Sequence, residues 1–160
     1  MTSSLKTPLP EYPAAAWVQA QVAINVDGRV LITRGTPVGP WTMPFDLVSV
    51  DETVEEVVCR LVREYVDADA GRVDFMAVIE RGSTVESDDH GVTLLFEARL
   101  PTASVNTDES LGEVRWVTWP ELGMLPLHPP QLATVRHSLG GQWQPLGRPV
   151  YCARMAGAWA

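Results

Sequence analysis

The sequence predicts an α+β domain in which a mixed β-sheet lies between helices. The chain opens with strand-like segments, switches once to a helical period of about 3.6 residues, and then returns to strand-like segments before a terminal helix. That order of elements is typical of a sandwich with helices on both faces of one sheet. With 160 residues, the chain is long enough to build one such domain around its own core.

A β-hairpin is predicted at the start of the domain. Residues 17–26 alternate loosely between apolar side chains and polar or small ones, and residues 29–33 continue as a second strand. Asp27 and Gly28 stand between them as a two-residue turn of the Asp-Gly type, which is the strongest short hairpin signal. The two strands are therefore expected to pair antiparallel.

One amphipathic helix is predicted next. A loop rich in Gly and Pro first leads to a short strand, in either residues 41–44 or residues 47–50. The helix begins after Thr53, which forms a capping box with Glu56 because each side chain can satisfy the other residue's backbone amide. The apolar residues then share one helical face: Val54, Val57, Val58, Leu61, Val62 and Tyr65. The helix is expected to end within residues 67–71.

The remaining elements follow in the order that the sandwich needs. Residues 73–80 and 91–100 are predicted strands, and the second is apolar enough to be buried on both faces. A further strand at residues 113–119 is followed by one helical turn at residues 120–122. The last helix is expected at residues 130–139, because a proline stands at its first position and two glycines follow it.

The domain organisation follows from these elements. Residues 1–13 contain three prolines and little periodicity, so they are expected to form an extended arm. Residues 14–140 form the domain. Residues 141–160 make up a tail with several aromatic side chains, which is expected to pack either on the domain or on a partner.

Charge and cysteine content restrict the partners and the compartment. Twelve basic and 20 acidic side chains give a net charge of −8, which disfavours nucleic acid polymers and anionic membrane surfaces. No signal-like segment or membrane-spanning apolar run is visible, so a soluble, cytoplasmic protein is expected. Cys59 and Cys152 lack metal-ligand spacing and are expected to be free thiols. The oligomeric state stays open, with a homodimer among the options.

The segment from Trp41 to Asp69 carries the most specific pattern. It resembles the signature of the Nudix (MutT-like) hydrolases: a Gly, five residues, a Glu, seven residues, Arg-Glu, an apolar residue, any residue, Glu-Glu, any residue, and a Gly. Glu52, Arg60 and Glu64 match this pattern. Four substituted positions make the motif degenerate: Asp46 for the first Gly, Leu61 and Tyr65 for two of the Glu residues, and Asp67 for the last Gly.

The resemblance covers about residues 17–139 and implies both a fold and a reaction. The implied fold is the Nudix α/β/α sandwich. The implied activity is hydrolysis of a nucleoside-diphosphate-type or other small diphosphate compound, with Mg²⁺ or Mn²⁺ held by helix carboxylates. Carried over to this sequence, the metal ligands are Glu52 and Glu64, and the catalytic residues are Glu64 and Arg60. Hard cations suit this chemistry because they neutralise the diphosphate.

Each of these residues also has a simpler interpretation. Glu64 can pair with Arg60 one helical turn away, and Glu52 can hold Arg60 or place negative charge near the helix N-terminus. Phe45 and Asp46 replace the glycines that let a phosphate approach. A second functional hypothesis therefore stays open: a degenerate Nudix protein that has lost diphosphate hydrolysis and binds a ligand or catalyses a different, metal-free reaction.

Several other residues are weaker candidates. A shifted register would use Arg63-Glu64 as the Arg-Glu pair, followed by Asp67 in a ligand position. An acidic loop and one strand residue are candidates for further ligands or a base, although a solvated loop and an edge-facing carboxylate are the simpler interpretation: Glu86, Asp88, Asp89, His90 and Glu97. Three tryptophans could stack on a flat ligand or line the core: Trp41, Trp116 and Trp119. His128 and His137 have no visible catalytic partner.

Overall fold

The computed structural model describes residues 16–66, 71–81, 90–101, 112–127 and 147–152. Within them, seven strands form one mixed sheet and two helices accompany it. The elements are β1 (Ala16–Val26), β2 (Arg29–Arg34), β3 (Phe45–Leu47), α1 (Val54–Tyr65), β4 (Gly71–Arg81), β5 (His90–Leu100), β6 (Glu113–Thr118), α2 (Trp119–Leu122) and β7 (Val150–Cys152). Neither described helix has the length and apolar character that a bilayer crossing requires.

Strand β1 lies at the centre of the sheet. It pairs in parallel with β5, from Ala16 opposite His90 to Val26 opposite Leu100. On its other side it pairs antiparallel with β2 at the hairpin and with β3 further back. The strand order is β6-β2-β1-β5-β4-β7, with β3 beside β1. The predicted α+β class with a mixed sheet is confirmed.

The hairpin turn has the backbone that its two residues predict. Asp27 has φ 52° and Gly28 has φ 75°, so both central residues lie in the left-handed region that a type I′ turn requires. The side chain of Asn25 accepts a hydrogen bond from the Gly28 amide at 3.1 Å. β3 shares one residue, Leu47, with the second alternative for the short strand, whereas residues 41–42 of the first alternative make only isolated bridges, to β2 and to Leu127.

Helix α1 begins as predicted and ends earlier. Thr53 is the N-cap, and its capping box with Glu56 is complete. The expected end within residues 67–71 is wrong, because Val66 already has extended backbone, with φ −131° and ψ 139°. The Val66 side chain is buried in the core, which draws the chain out of the helix toward β4.

Two hydrophobic clusters cover the two faces of the sheet. On one face, α1 packs on β1 and β5 through the buried residues Ala20, Val22, Ile24, Val57, Val58, Leu61, Val62, Phe96 and Ala98. On the other face, α2 and the chain after β2 contribute to the second cluster, which includes Trp41, Met43, Leu95, Val117 and Leu122. The predicted helix at residues 130–139 lies outside the described residues.

The expectation of two free thiols is wrong. Cys59 of α1 and Cys152 of β7 form a disulfide, with their Cα atoms 5.4 Å apart. The physical reason is the tail: β7 pairs antiparallel with β4, with Val73 opposite Val150, and this brings Cys152 against the helix. Cysteine spacing along the chain does not reveal a contact between residues separated by 93 positions.

Candidate functional site

Arg60 lies at the centre of three carboxylates that come from three different parts of the chain. Its Nη1 donates to Asp46 Oδ2 of β3 at 2.8 Å and to Glu64 Oε1 of α1 at 3.3 Å. Its Nη2 donates to both oxygens of Glu52, at 3.1 Å to Oε2 and 3.4 Å to Oε1. We call these four residues the Arg60 cluster. Its ion pairs connect β3 and the loop before α1 to α1.

Local structure explains how each carboxylate reaches Arg60. Glu64 is one helical turn further along α1, where an i,i+4 pair is adjacent. Asp46 stands opposite Ala20 of β1, whose side chain packs in the α1 cluster, so Asp46 faces the helix. Its second oxygen, Oδ1, accepts the Leu47 amide at 2.8 Å, which orients the carboxylate. The Glu52 amide donates to the carbonyl of Ser49 in the turn before the helix.

The Arg60 cluster carries more negative than positive charge. Three carboxylates face one guanidinium, and the Asp46 hydrogen bond is the largest influence that raises the pKa of Arg60 above its ordinary value. Burial lowers this pKa, while Glu52 and Glu64 raise it further. The four side chains are between 34% and 48% exposed, so each single ion pair contributes little and the arrangement acts as a network.

Leu61 and Tyr65, which replace two Glu residues of the Nudix signature, both point toward the core. Leu61 is 2% exposed. Tyr65 is half-buried against the same cluster. Burial is the main cause of its raised pKa, and the charge of Glu64 adds to it, whereas a hydrogen bond with Thr33 lowers it. Leu61 has no oxygen in its side chain and Tyr65 has a phenol, so neither position adds a carboxylate to the Arg60 cluster.

The donor set does not fit the Mg²⁺ or Mn²⁺ that the resemblance implies. Such cations are held by carboxylate oxygens that converge on one point, together with waters and substrate phosphates. Among the described residues, no group of three or more His, Cys, Asp or Glu side chains has the geometry to hold a metal ion. Glu52 and Glu64, the predicted ligands, both contact the guanidinium of Arg60. Their roles as metal ligands, and the catalytic roles of Glu64 and Arg60, stay predictions.

Two other carboxylates have structural roles. The Thr53 amide donates to Glu56 Oε2 at 2.9 Å and the Glu56 amide donates to Thr53 Oγ1 at 3.2 Å, so Glu56 caps the helix. Glu97 does not face an edge, which corrects that interpretation: β5 lies between β1 and β4, and Glu97 is 2% exposed with Arg99 as an ion-pair partner. The apolar run of this strand predicts burial on both faces, and that burial includes Glu97.

Of the remaining candidate residues, His90 belongs to the described part of the chain and the others do not. His90 is the first residue of β5 and pairs with Ala16, away from β3 and the Arg60 cluster. The other acidic loop residues, the last residue of the shifted register and both candidate histidines lie outside the described residues: Glu86, Asp88, Asp89, Asp67, His128 and His137.

The tryptophans divide between core and cleft. Trp41 is 3% exposed, and the guanidinium of Arg34 stacks on its ring at 4.4 Å from the centroid. Arg34 also pairs with Glu113 of β6 at 2.7 Å. Trp116 is half-buried and lines a cleft of about 470 Å³ together with Val26 and Arg29. This cleft lies at the hairpin end of β1, about 20 Å along the strand from the residue opposite Asp46.

An apolar strip lies beside the Arg60 cluster on the same face of the sheet. Val18 is two residues from Ala20, the partner of Asp46, and is 40% exposed. Val18 pairs with Val92 of β5. Leu94, the next residue of β5 on the same face, pairs with Val78 of β4. Val78 is 50% exposed. These four side chains are apolar, and Glu80 stands opposite Val92 at the border of the strip.

Comparisons with known proteins agree with this architecture. The family model described as NUDIX domain matches residues 18–139. The MutT NUDIX hydrolase from Burkholderia pseudomallei is 23% identical, with a TM-score of 0.62, and the match covers 76% of this chain and 97% of that one. The NUDIX domain of Shewanella oneidensis NrtR, solved with ADP ribose, is 17% identical, with a TM-score of 0.64 and coverage of 89% and 99%.

A third structure extends the comparison. The E. coli dihydroneopterin triphosphate pyrophosphohydrolase is 16% identical, with a TM-score of 0.61, and the match covers 81% of this chain and 97% of that one. At these identities the likeness concerns the fold. No curated protein sequence matches the chain. Because the family model covers well over half of the residues, the chain belongs to the Nudix family.

Proposed function

We propose that this Nudix protein binds a small nucleotide-like molecule and that its altered helix does not carry out metal-dependent diphosphate hydrolysis. The observation that carries the proposal is the Arg60 cluster, in which Asp46, Glu52 and Glu64 all contact one guanidinium. Two further positions that supply carboxylates in the Nudix signature are the inward-facing Leu61 and Tyr65. The ligand class rests on the family, whose NrtR member was solved with ADP ribose.

Charge determines how such a ligand would lie. Three carboxylates and one guanidinium leave an excess of negative charge, which repels phosphates that approach without a counterion. The apolar strip from Val18 to Val78 is uncharged and can take the ring of the ligand. The proposal therefore places the ring on the strip and the phosphates away from the Arg60 cluster or paired with a cation from solution.

Calorimetric titration of adenosine, ADP and ADP-ribose, in EDTA and again in Mg²⁺, tests this proposal. We expect adenosine to bind more tightly in EDTA than the two diphosphates, ADP and ADP-ribose, and Mg²⁺ to restore the affinity of the diphosphates without product formation. Chromatography of the same mixtures measures the products. If none of the three ligands binds at millimolar concentration in either buffer, the proposal is wrong.

Diphosphate hydrolysis with Mg²⁺ or Mn²⁺ is the second candidate function. It is favoured by family membership and by two distances: Glu52 and Glu64 contact Arg60 at 3.1 Å and 3.3 Å, longer than the 2.8 Å contact of Asp46. A metal-bound diphosphate that drew these two carboxylates from Arg60 would use Glu52 and Glu64 as ligands. Metal-dependent product release that is lost in Glu64→Gln but kept in Glu55→Gln, an exposed glutamate of the same helix, would replace the first proposal with this one.

A further inference from the structure

A covalent bond joins the helix of the candidate site to the last strand of the sheet. Cys59 of α1 and Cys152 of β7 are separated by 93 positions in the chain, and they are the two cysteines of the sequence. Cys59 directly precedes Arg60. Because successive helical residues point about 100° apart, the helix is held on one side by the disulfide and on another by the ion pairs of Arg60.

Strand β7 has few other attachments. It has three residues, and in the described part of the chain it pairs only with residues 71–73 of β4. Val150 is half-buried and Cys152 is 5% exposed, whereas Tyr151 is 67% exposed. A short edge strand with so little buried surface belongs to the parts of a protein that open first. Among the described residues, the disulfide is therefore the strongest link between β7 and the rest of the protein.

We propose that Cys59–Cys152 is a redox-controlled clamp on β7. The closed pair holds β7 on β4 and against α1, and the opened pair lets β7 leave the sheet. Opening takes two electrons and two protons from a dithiol reductant: a thiolate attacks one protein sulfur, the S–S bond breaks, and the reductant leaves as its own disulfide while both cysteines become thiols. Loss of β7 uncovers backbone groups of β4 at residues 71–73.

The clamp makes the docking of β7 depend on the redox conditions of the compartment. Disulfides persist in oxidising compartments, whereas cytosolic dithiol systems keep thiols reduced. Cys59 and Cys152 are 9% and 5% exposed, so a reductant reaches them only when β7 opens locally. A cytoplasmic protein, as expected from the sequence, would then have β7 released, and an oxidising environment would have it docked. This inference does not depend on the proposed ligand.

The first experiment counts thiols. The full chain is first equilibrated with oxidised glutathione, and half of it is then reduced with dithiothreitol; each sample is freed of the reagent, denatured in the presence of a maleimide and weighed by mass spectrometry. We expect no maleimide adduct on the oxidised chain and two on the reduced chain. Two maleimide adducts on the oxidised chain would overturn the proposal, because Cys59 and Cys152 would not form a disulfide.

The second experiment follows β7 itself. Hydrogen exchange of the native chain is measured with and without dithiothreitol. On reduction we expect exchange at least tenfold faster at residues 71–73 and 150–152, with unchanged protection in β1 and β5. The disulfide closes a loop between cysteines that are 93 positions apart. Its reduction is therefore also expected to lower the Tm by about 10 °C. Unchanged protection of β7 in the reduced chain would contradict the clamp.

A variant without the pair serves as the control. The double variant Cys59→Ala with Cys152→Ala is expected to show fast exchange at β7 in both conditions and no response to reductant. If its exchange responds to dithiothreitol as strongly as that of the wild type, the effect has another origin and the proposal fails. The comparison of oxidised and reduced wild type holds even if this variant does not fold.

Discussion

Arg60 makes its shortest contact in the cluster with Asp46, at 2.8 Å between Nη1 and Oδ2. Asp46 stands where the Nudix signature has a glycine, and a glycine cannot accept this hydrogen bond. The substitution narrows the path by which a phosphate could approach the helix. It also adds a third carboxylate that accepts a hydrogen bond from the Arg60 guanidinium. Asp46 adds an ion pair to Arg60, and Leu61 removes a carboxylate of the family pattern. Helix α1 is therefore held by ion pairs and does not present the family's set of carboxylates to a ligand.

Removing the guanidinium is expected to destabilise the protein. Arg60→Met leaves Asp46, Glu52 and Glu64 close together without a cation, and it should lower the free energy of unfolding by about 1–2 kcal/mol, because three partly exposed ion pairs are lost and like charges remain. Urea denaturation measures the change.

Arg63→Met is the matched control, since Arg63 is an exposed arginine of the same helix. We expect it to change the free energy of unfolding by less than about 0.5 kcal/mol. Equal losses in the two variants would show that the Arg60 cluster has no special role in stability.

The N-cap of α1 gives a second prediction. Thr53→Ala removes the acceptor of the Glu56 amide and half of the capping box. The free energy of unfolding should fall by about 1 kcal/mol. Ser49→Ala, in the exposed turn before the helix, controls for loss of a hydroxyl and should have little effect. A Thr53→Ala protein with unchanged stability to urea would mean that the helix start is fixed by packing alone.

Restoring one family carboxylate is expected to fail. Leu61→Glu places a charged group at a position that is 2% exposed and removes apolar contacts of the α1 cluster. We expect a loss of about 3 kcal/mol or more in the free energy of unfolding, and no gain of Mg²⁺ binding in calorimetry.

Leu61→Met tests whether volume or charge causes that loss. Its expected cost is below about 1.5 kcal/mol, because the side chain stays apolar and of similar size. If Leu61→Glu proved as stable as the wild type, residue 61 could not be buried as the structure shows.

Tyr65 gives the prediction for pH. Burial raises its pKa above the ordinary value of 10.0, so the unfolded chain loses the phenolic proton first as pH rises. The stabilisation by neutral Tyr65 is complete below pH 10 and is lost as pH climbs through the pKa of the folded state. Stability measured by urea between pH 8 and 11 should therefore fall more steeply in the wild type than in Tyr65→Phe.

Tyr151→Phe is the control for this pH series, because Tyr151 is 67% exposed. A Tyr65→Phe slope identical to that of the wild type would show that the tyrosine titrates alike in the folded and unfolded chains.

Local signals explain which parts of the structure could be predicted. The Asp27-Gly28 turn and the capping box of Thr53 and Glu56 depend on neighbouring residues, and the structure has both. The contacts of Arg60 with Glu52 and Glu64 also follow from short spacings along the chain. Its contact with Asp46 crosses from helix to strand and depends on the pairing of β3 with β1, which no local pattern specifies.

Distant pairings explain the rest. Cys152 reaches Cys59 only because β7 joins β4, and Glu97 is not at an edge because β5 lies between β1 and β4. Hydrophobic periodicity gives the type of an element and which face is apolar, but not the order of strands. The disulfide and the central position of β5 therefore depend on the tertiary structure.

The parallel pairing of β1 with β5 also bears on how fast the chain folds. Ala16 meets His90 and Val26 meets Leu100, so the two central strands cannot pair until a large part of the chain has been brought together. Such non-local contacts carry a high loop-closure cost, and domains dominated by them fold in milliseconds to seconds rather than microseconds. During synthesis the hairpin of β1 and β2 emerges before β5, which leaves one side of β1 without its partner in the meantime.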